Sequence, residues 1–289
     1  MISVIIPVYN QAVYIAEAID SAQSQTFRDF EVIVVDDGST DETSQVLSQY
    51  GDSIRVIRQS NRGGAAALNR GIHAARGEWI AWLSADDAWE PAKLEKQVQV
   101  IRQNPNVGIV YTDYLYVDAK GDTLSREHFP LPPTRRQTLL RLIRRCFVNG
   151  SSTLIRRGVF ARIGLYDEND RLTPDWDFFL RAGLVFDFAH IPEPLVHYRI
   201  HGAQTSANRD VMERASRRTM SRNLRRMGAL LGTWAAFLVF RKQVRSFPAF
   251  VRASVGHGRT IRRQVLDLIE WLAILVDPET KWTPVRQEA

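Results

Sequence analysis

The sequence predicts an α/β fold in which helices flank a central, mostly parallel β-sheet. Three observations predict it: short apolar runs rich in β-branched residues recur between Ile2 and Leu83, helical patterns separate these runs, and turn residues bound each unit. Strand–helix–strand units of about thirty residues are typical of parallel sheets with right-handed crossovers. Ligands bind beyond the carboxyl ends of the strands in such sheets, so the segments that follow the strands are the first candidates for a functional site.

The first four strands are predicted mainly from short apolar runs, which are typical of strands buried on both faces. They cover residues 2–6, 31–35, 54–57 and 79–83. Helices between them are predicted from residues that commonly begin or end helices. These boundary residues are Asn10, Ser39 with Glu42, Gly63-Gly64 with Gly77, and Pro91.

Beyond about residue 108 the pattern changes to longer strands and polar loops. The predicted elements are a strand over 107–117, a basic helix capped by Thr134, a helix from Asp175 to Gly183, and strands over 185–191 and 195–200. Within the second of these helices, Asp177 stands four residues before Arg181, a spacing that favours an ion pair on one helix face.

The composition is that of a folded protein, with 45% hydrophobic and 24% charged residues among 289. The chain has one cysteine, Cys146, which excludes an intrachain disulfide and a cysteine-based metal site, so we interpret it as a packing residue. The first residues lack the basic segment and long apolar stretch of a secretory signal. A cytoplasmic location is therefore expected.

Two domains are predicted, residues 1–207 and a basic helical extension over 208–289. Fourteen basic and two acidic residues lie between Arg209 and Arg263, a net charge of +12, so the remainder of the chain carries −6. An apolar run over 227–240 is shorter than the ~20 residues needed to cross a bilayer. The extension is expected either to lie on the inner face of an anionic membrane or to pack as a helical subdomain or dimer contact. Nucleic-acid binding is not expected, because no recognised module is present.

Two acidic segments follow predicted strands. Asp86 and Asp87 come directly after the fourth strand, where a divalent cation would offset their charge, although they also suit a helix start before Pro91. Asp37 stands in a turn after the second strand. It fits either an ordinary turn or a carboxylate that accepts a hydrogen bond from a nucleoside base or a ribose hydroxyl.

Three further segments carry candidate residues. Arg62 precedes a glycine pair at a predicted helix N-terminus, which favours phosphate, but the segment is neither a P-loop nor a dinucleotide fingerprint. Asp175 is either a helix cap or a proton acceptor whose pKa neighbouring aromatic residues raise. Arg199 and His201 share one strand face, which either contacts solvent or approaches a diphosphate, with His201 as a possible further metal ligand.

Taken together, these segments resemble the family 2 glycosyltransferases, which have the Rossmann-like GT-A fold. The matching residues run in the same order over about the first 205 positions: 4–10, 34–41, 69–71, 77–87, 175–177 and 198–201. The resemblance implies a nucleotide-diphosphate-sugar donor, with a UDP-sugar favoured. Pro7 and Tyr9 would flank the nucleoside base, and Asp37 would hold one of its polar edges.

The resemblance also implies the roles of the acidic residues. Ser84-Ala85-Asp86 occupies the position of the family's Asp-x-Asp element, in which the final acid coordinates Mn²⁺ or Mg²⁺ on the diphosphate, and Asp175 matches the catalytic base. Ser84 departs from the family, which commonly has an acid there. The expected donor-binding residues are Pro7, Val8, Tyr9, Asp37, Arg62, Ser84, Ala85, Asp86 and Arg199, and the expected metal ligands are Asp86 and His201.

The function expected from this resemblance is inverting sugar transfer to a hydroxyl of a glycan, a lipid-linked acceptor or a small molecule. Polysaccharide, cell-envelope or glycolipid synthesis is the expected context. Two alternatives remain open from the sequence: a nucleotide-sugar-binding protein without catalysis, which Ser84 favours, and a membrane-docking protein that relies on the basic extension.

Overall fold

The computed structural model describes residues 1–202, 204–207, 210–216, 218–219 and 222–223. Nine strands and seven α-helices are assigned within these residues. In chain order they are β1 (Ile2–Val8), α1 (Ile15–Gln23), β2 (Phe30–Asp36), α2 (Thr43–Ser48), β3 (Arg55–Arg58), α3 (Gly64–Ala74), β4 (Trp79–Trp82), β5 (Ala88–Trp89), α4 (Lys93–Gln103), β6 (Val107–Val117), β7 (Thr123–Glu127), α5 (Arg135–Arg144), β8 (Leu154–Arg156), α6 (Arg157–Ile163), α7 (Pro174–Gly183) and β9 (Asp187–Arg199).

The strands form one sheet in the order β3-β2-β1-β4-β8-β6-β9-β5, with β7 paired to β6. The pairings among β3, β2, β1 and β4 are parallel. β8 begins beside the carboxyl end of β4 and runs back along it, so its pairings with β4 and β6 are antiparallel, whereas β6 and β9 pair in parallel. The predicted α/β class is confirmed, and the sheet becomes mixed from β8 onward.

Strand β1 is the centre of the parallel half and is covered on both faces. Val4, Ile5 and Ile6 have no exposed surface, as the continuous apolar run predicts. Helix α3 lies close to this strand, since a Cβ atom added at Gly71 would overlap the side chain of Ile5. A glycine at 71 therefore permits the close approach of α3 to the sheet.

Two predicted N-caps are wrong, and Gly77 lies beyond the end of α3, whose C-cap is Ala75. Helix α1 begins after Tyr14, not at Asn10, which has a positive φ of 52° and accepts a hydrogen bond from Thr40 N at 2.8 Å. Helix α2 begins after Glu42, and the Ser39 hydroxyl accepts from Asn10 N at 3.1 Å. These polar side chains link two loops instead of capping a helix, an alternative that Asn and Ser commonly take.

The second half contains the predicted elements together with β7, β8 and α6, which were not predicted. Thr134 caps α5 by accepting from Gln137 N at 3.2 Å, and Asp177 pairs with Arg181 at 2.8 Å, both as predicted. The two strands predicted near the end form one long strand, β9, in which Pro192 and Pro194 are included without ending it.

The residues from Met1 to Thr219 form one compact unit, and the domain boundary expected between 207 and 208 stays a prediction. None of the helices in the described part of the chain is both long and apolar enough to cross a bilayer. The apolar run at 227–240 lies outside the described residues.

Candidate functional site

The carboxyl ends of β1, β2 and β4 lie side by side at one edge of the sheet. β1 ends at Val8, opposite Asp36 of β2, while β4 pairs with the other side of β1. The following residues extend these pairings: Asp37 N donates to Val8 O at 2.8 Å, and Leu83 N donates to Ile5 O at 3.0 Å. The segments that the sequence assigns to the donor therefore begin at adjacent positions.

Asp37 organises the loop that precedes α3. Its buried carboxylate accepts hydrogen bonds from Gln59 Nε2 at 2.7 Å, Arg62 N at 2.9 Å and Gly63 N at 2.7 Å. The Arg62 side chain reaches Glu168, with 2.7 Å between the guanidinium and the carboxylate. Because a carboxylate has roughly four acceptor positions, Asp37 keeps capacity for one further donor such as an N–H of a base.

The predicted base-flanking residues differ in exposure. Val8 is buried, Pro7 is half-buried, and Tyr9 is exposed. Pro7 and Tyr9 can therefore present side-chain surface to a ligand, whereas Val8 can contribute its backbone only. Gly38 has a positive φ of 80°, and a Cβ there would lie 2.9 Å from Asn61 N, so the neighbouring loop approaches too closely for a side chain.

Asp86 and His201, the two predicted metal ligands, come together. His201 Nε2 lies 3.1 Å from Asp86 Oδ2, and both side chains are partly or mostly buried. The hydroxyl of Ser84, two residues before Asp86, lies 3.1 Å from Ser151 Oγ. A carboxylate and an imidazole, with diphosphate oxygens added, form a donor set that suits Mn²⁺ or Mg²⁺, so these residues fit the expected ion.

Arg199 holds the Asp86 segment in place. Its guanidinium donates to Asp86 O at 3.0 Å, to Glu17 Oε2 at 2.6 Å and to Asp118 O at 3.2 Å, and the side chain is buried. It thus connects α1, the segment after β4 and the turn after β6. The sequence predicts that Arg199 lies near the diphosphate. In the structure its contact with the Asp86 segment is the hydrogen bond from its guanidinium to the backbone carbonyl of Asp86.

Asp87 has a supporting position next to Asp86. The buried carboxylate accepts from Ser151 Oγ at 2.5 Å and from Arg199 N at 3.0 Å. Burial, and to a lesser extent the negative charge of Asp86, raises the pKa of Asp87 well above its usual range. The Asp87 carboxylate therefore ties the segment after β4 to Ser151 and to the end of β9.

Asp175 lies in the first turn of α7, where Thr173 takes the N-cap position. Its carboxylate accepts from Trp176 N at 2.8 Å. Burial raises the pKa of Asp175 to about 6; the Trp176 N–H opposes this shift, and the negative charge of Asp170 adds to it. A carboxyl group with that pKa is well matched to accept a proton near neutral pH.

Tyr166 connects Asp175 to the carboxyl end of β4. The Tyr166 ring packs edge-on against Trp82 with 5.7 Å between ring centroids. Burial, with a smaller contribution from the charge of Asp175, raises the pKa of the Tyr166 hydroxyl. The Tyr166 carbonyl accepts from Asn69 Nδ2 of α3 at 2.9 Å. Asp175 therefore interacts electrostatically with a tyrosine that packs against the carboxyl end of β4.

Several of these site residues were not predicted. Glu17 sits in an amphipathic helix and Tyr166 in an ordinary loop, so neither carries a local signal. Ser151 belongs to the polar segment Asn149–Ser152, whose residues favour a tight turn, and this is the local signal that the sequence offers at Ser151. All three act through partners far away in the chain.

Comparison with known proteins shows the family to which the chain belongs. The model of the family described as Glycosyl transferase family 2 matches residues 3–164, more than half of the chain. An uncharacterized glycosyltransferase of Rickettsia prowazekii is 38% identical over 217 residues, which cover 71% of this chain. The matched region spans 66% of that relative's own length, just under two thirds.

Two solved structures show a similar fold. S. aureus TarS in complex with UDP-GlcNAc has a TM-score of 0.64 at 19% identity, covering 86% of this chain and 73% of that one. A mannosyltransferase from Pyrobaculum calidifontis, in complex with GDP-Man and Mn²⁺, has a TM-score of 0.62 at 20% identity, covering 98% and 82%. Both similarities support the GT-A fold.

Proposed function

The chain belongs to glycosyl transferase family 2, and from that membership we propose that it transfers a sugar from a nucleotide-diphosphate-sugar to an acceptor hydroxyl with inversion at the anomeric carbon. The observation that carries this proposal is the position of Asp175. Its carboxyl group has a raised pKa of about 6, and its negative charge acts on Tyr166, whose ring packs against Trp82 at the end of β4, just before the Asp86 segment.

The donor half of the site is proposed to lie between Tyr9 and Asp86. Tyr9 and Pro7 pack against the base, Asp37 accepts a hydrogen bond from its polar edge, and the loop at Arg62 faces the same side. TarS was solved with UDP-GlcNAc and the mannosyltransferase with GDP-Man, so similar folds accept either nucleotide. A UDP-sugar is our first candidate.

Asp86 and His201 would hold Mn²⁺ or Mg²⁺, with Ser84 alongside as a neutral hydrogen-bonding group. When bound, such an ion neutralises the charge that develops on the leaving diphosphate. Arg199 keeps the Asp86 backbone fixed relative to α1 and β6 through its buried guanidinium group. Ser84 in place of an acid leaves the protein with fewer negative ligands, so we expect weaker metal binding than an Asp-x-Asp site would give.

Asp175 accepts the proton of the attacking hydroxyl. The acceptor oxygen forms a bond to the anomeric carbon on the face opposite the diphosphate, the bond to the diphosphate oxygen breaks, and the proton passes to the Asp175 carboxylate. The electron pair of the broken bond leaves with the nucleoside diphosphate. One displacement on one face inverts the anomeric centre without a covalent intermediate.

The acceptor is proposed to be a glycan, a lipid-linked sugar or a small molecule, in polysaccharide, cell-envelope or glycolipid synthesis. A cytoplasmic location, with peripheral contact of the basic extension at the inner face of the membrane, is part of the same proposal. The extension lies outside the described residues, apart from short stretches before 224.

The test begins with a thermal-shift screen of nucleotide-sugars with Mn²⁺, because a true donor stabilises the folded state by mass action. Transfer with the selected donor is then measured as release of nucleoside diphosphate in the presence of a panel of acceptors. We expect Asp175→Asn to lose at least ~100-fold in turnover, the usual contribution of a general base. Asp187→Asn, at an exposed position that begins β9, is the matched control.

Two outcomes would contradict the proposal. Near wild-type turnover of a folded Asp175→Asn protein would remove Asp175 from the reaction. Donor binding without transfer to any acceptor and without donor hydrolysis would favour the alternative of a nucleotide-sugar-binding protein, for which Ser84 is the sequence feature.

A further inference from the structure

Three side chains from three parts of the chain converge outside the donor site. Asp113 lies on β6, His190 on β9, and His128 directly after β7. His128 Nδ1 lies 2.7 Å from Asp113 Oδ2, and His190 Nε2 lies 2.7 Å from Asp113 Oδ1. One nitrogen or oxygen from each of the three residues lies within 4.8 Å of the others.

We propose that Asp113, His128 and His190 bind a transition-metal dication such as Zn²⁺, at a site that shares no residue with the Asp86 site. Zn²⁺ binds imidazole nitrogens and carboxylate oxygens at about 2.0–2.2 Å, so its ligand atoms stand roughly 3 Å apart. The two separations between Asp113 and the imidazoles, 2.7 Å each, are close to that, and all three ligand atoms lie within 4.8 Å of one another, so side-chain movements of about 1–2 Å would bring them to the ion. Two imidazoles select Zn²⁺, Co²⁺ or Ni²⁺ over the oxygen-seeking Mg²⁺.

The surroundings support a built site. The Asp113 side chain has 0% exposure and that of His190 has 8%, whereas His128 is 51% exposed and leaves an entry path from solvent. The β6–β9 register shifts on both sides of Asp113, an irregularity of the kind that redirects side chains. The ring of Tyr111 stacks on His190 with 4.7 Å between centroids and limits the orientations of the imidazole.

Nearby positive charge opposes the ion, from Arg126 and from Arg141, whose charge acts on His190. Arg126 lies with a guanidinium nitrogen 3.6 Å from Asp113 Oδ2, and its side chain is 53% exposed. Its positive charge competes with a dication for the same carboxylate. Because the side chain is half-exposed, the guanidinium can move away when the ion binds, although it then loses its hydrogen bond to Pro192 O at 3.0 Å.

A metal here would join β6 and β9 to the segment that leads into α5. Phe129, the next residue after His128, donates its N–H to Asp113 Oδ1 at 3.3 Å, and its carbonyl accepts from the Tyr111 hydroxyl at 2.8 Å. Helix α5 then packs against α7, which carries Asp175. The ion would therefore stabilise the wall on the Asp175 side of the protein, independently of any sugar transfer.

The experiment uses the untagged full-length chain, stripped with a chelator and titrated with Zn²⁺ and with Co²⁺ in millimolar Mg²⁺, which keeps the Asp86 site supplied with its own kind of ion. We expect one equivalent of Zn²⁺ to bind, a rise in Tm, and visible Co²⁺ absorption of a low-coordinate site. His128→Gln, at the half-exposed position, and His190→Gln should each lose at least ~10-fold in affinity.

Two variants make the test specific. Arg126→Gln should bind Zn²⁺ several-fold more tightly, since it removes a competing charge. His197→Gln should leave binding unchanged, because His197 lies elsewhere on β9 and pairs with Glu90. Absence of Zn²⁺ binding at tens of micromolar, or equal loss in His128→Gln and His197→Gln, would overturn the proposal. Retained binding in both His128→Gln and His190→Gln would overturn it as well.

Discussion

Replacing Asp175 by Asn should make the protein more stable at neutral pH while it abolishes transfer. The pKa of Asp175 rises from 3.8 in the unfolded chain to about 6 in the folded one, chiefly because the carboxyl group is buried. Its charged form is therefore unfavourable in the folded state. A change of one in pKa corresponds to about 1.4 kcal/mol, so a rise of roughly two gives at most about 3 kcal/mol.

The expected gain is smaller than this upper bound, because the Asp175 side chain keeps some contact with solvent. About 1–2 kcal/mol at pH 7.5 is a realistic expectation. The sign follows from the raised pKa: the wild type loses stability as pH rises from about 4 through 6. The advantage of the Asn variant should accordingly be absent below pH 4, grow between pH 4 and 6, and stay constant above.

Urea denaturation of both proteins at pH values between 4 and 8 measures this directly, with Asp187→Asn as the control at an exposed position. A destabilised Asn variant at pH 7.5, or a difference that does not change with pH, would refute the reasoning about burial. Loss of transfer with a gain in stability is the pattern expected of a group kept in an unfavourable environment for its function.

Three further predictions concern the pH dependence of transfer, the Asp86 metal site and the packing of α3. The kcat/KM for transfer should rise with pH along a curve whose midpoint, the apparent pKa, is about 6. A midpoint near pH 4 would mean that Asp175 is not the titrating group. Asp86→Asn should raise the Mn²⁺ concentration needed for half-maximal transfer at least ~10-fold, and an unchanged Mn²⁺ dependence would exclude Asp86 as a ligand. Gly71→Ala should cost about 1–3 kcal/mol in urea denaturation because its Cβ would overlap Ile5. Gly158→Ala, in a helix with open space around it, should be neutral or stabilise by up to about 1 kcal/mol, so similar losses in both would refute the packing argument.

Much of the parallel half of the fold can be predicted from the sequence, because its signals are local. The apolar run at the start of the chain predicts a strand buried on both faces, and β1 is such a strand. The predictions fail where a polar residue can either cap a helix or bond to a neighbouring loop. Asn10 and Ser39 both suit a helix cap, and only the proximity of the two loops lets them bond to each other instead.

The candidate site divides in the same way. The order of the acidic motifs, and the expectation that they share an edge of the sheet, come from the sequence together with the geometry of parallel strands. The sequence offered Asp86 and His201 as possible ligands of one metal ion, and the structure brings the two side chains to 3.1 Å. The role of Arg199 as a link between Glu17 and Asp118 carries no local signal.

By itself, the sequence determined most of the strands and helices in the first half of the chain, which family it resembles, and which residues are candidates for donor and proton chemistry. Only the tertiary structure decided the pKa of Asp175, because burial in the folded protein is its largest cause and the charge of Asp170 adds to it. It also decided the convergence of Asp113, His128 and His190. Burial and charge at a side chain depend on neighbours distant in the chain, and a linear pattern does not record which of them meet.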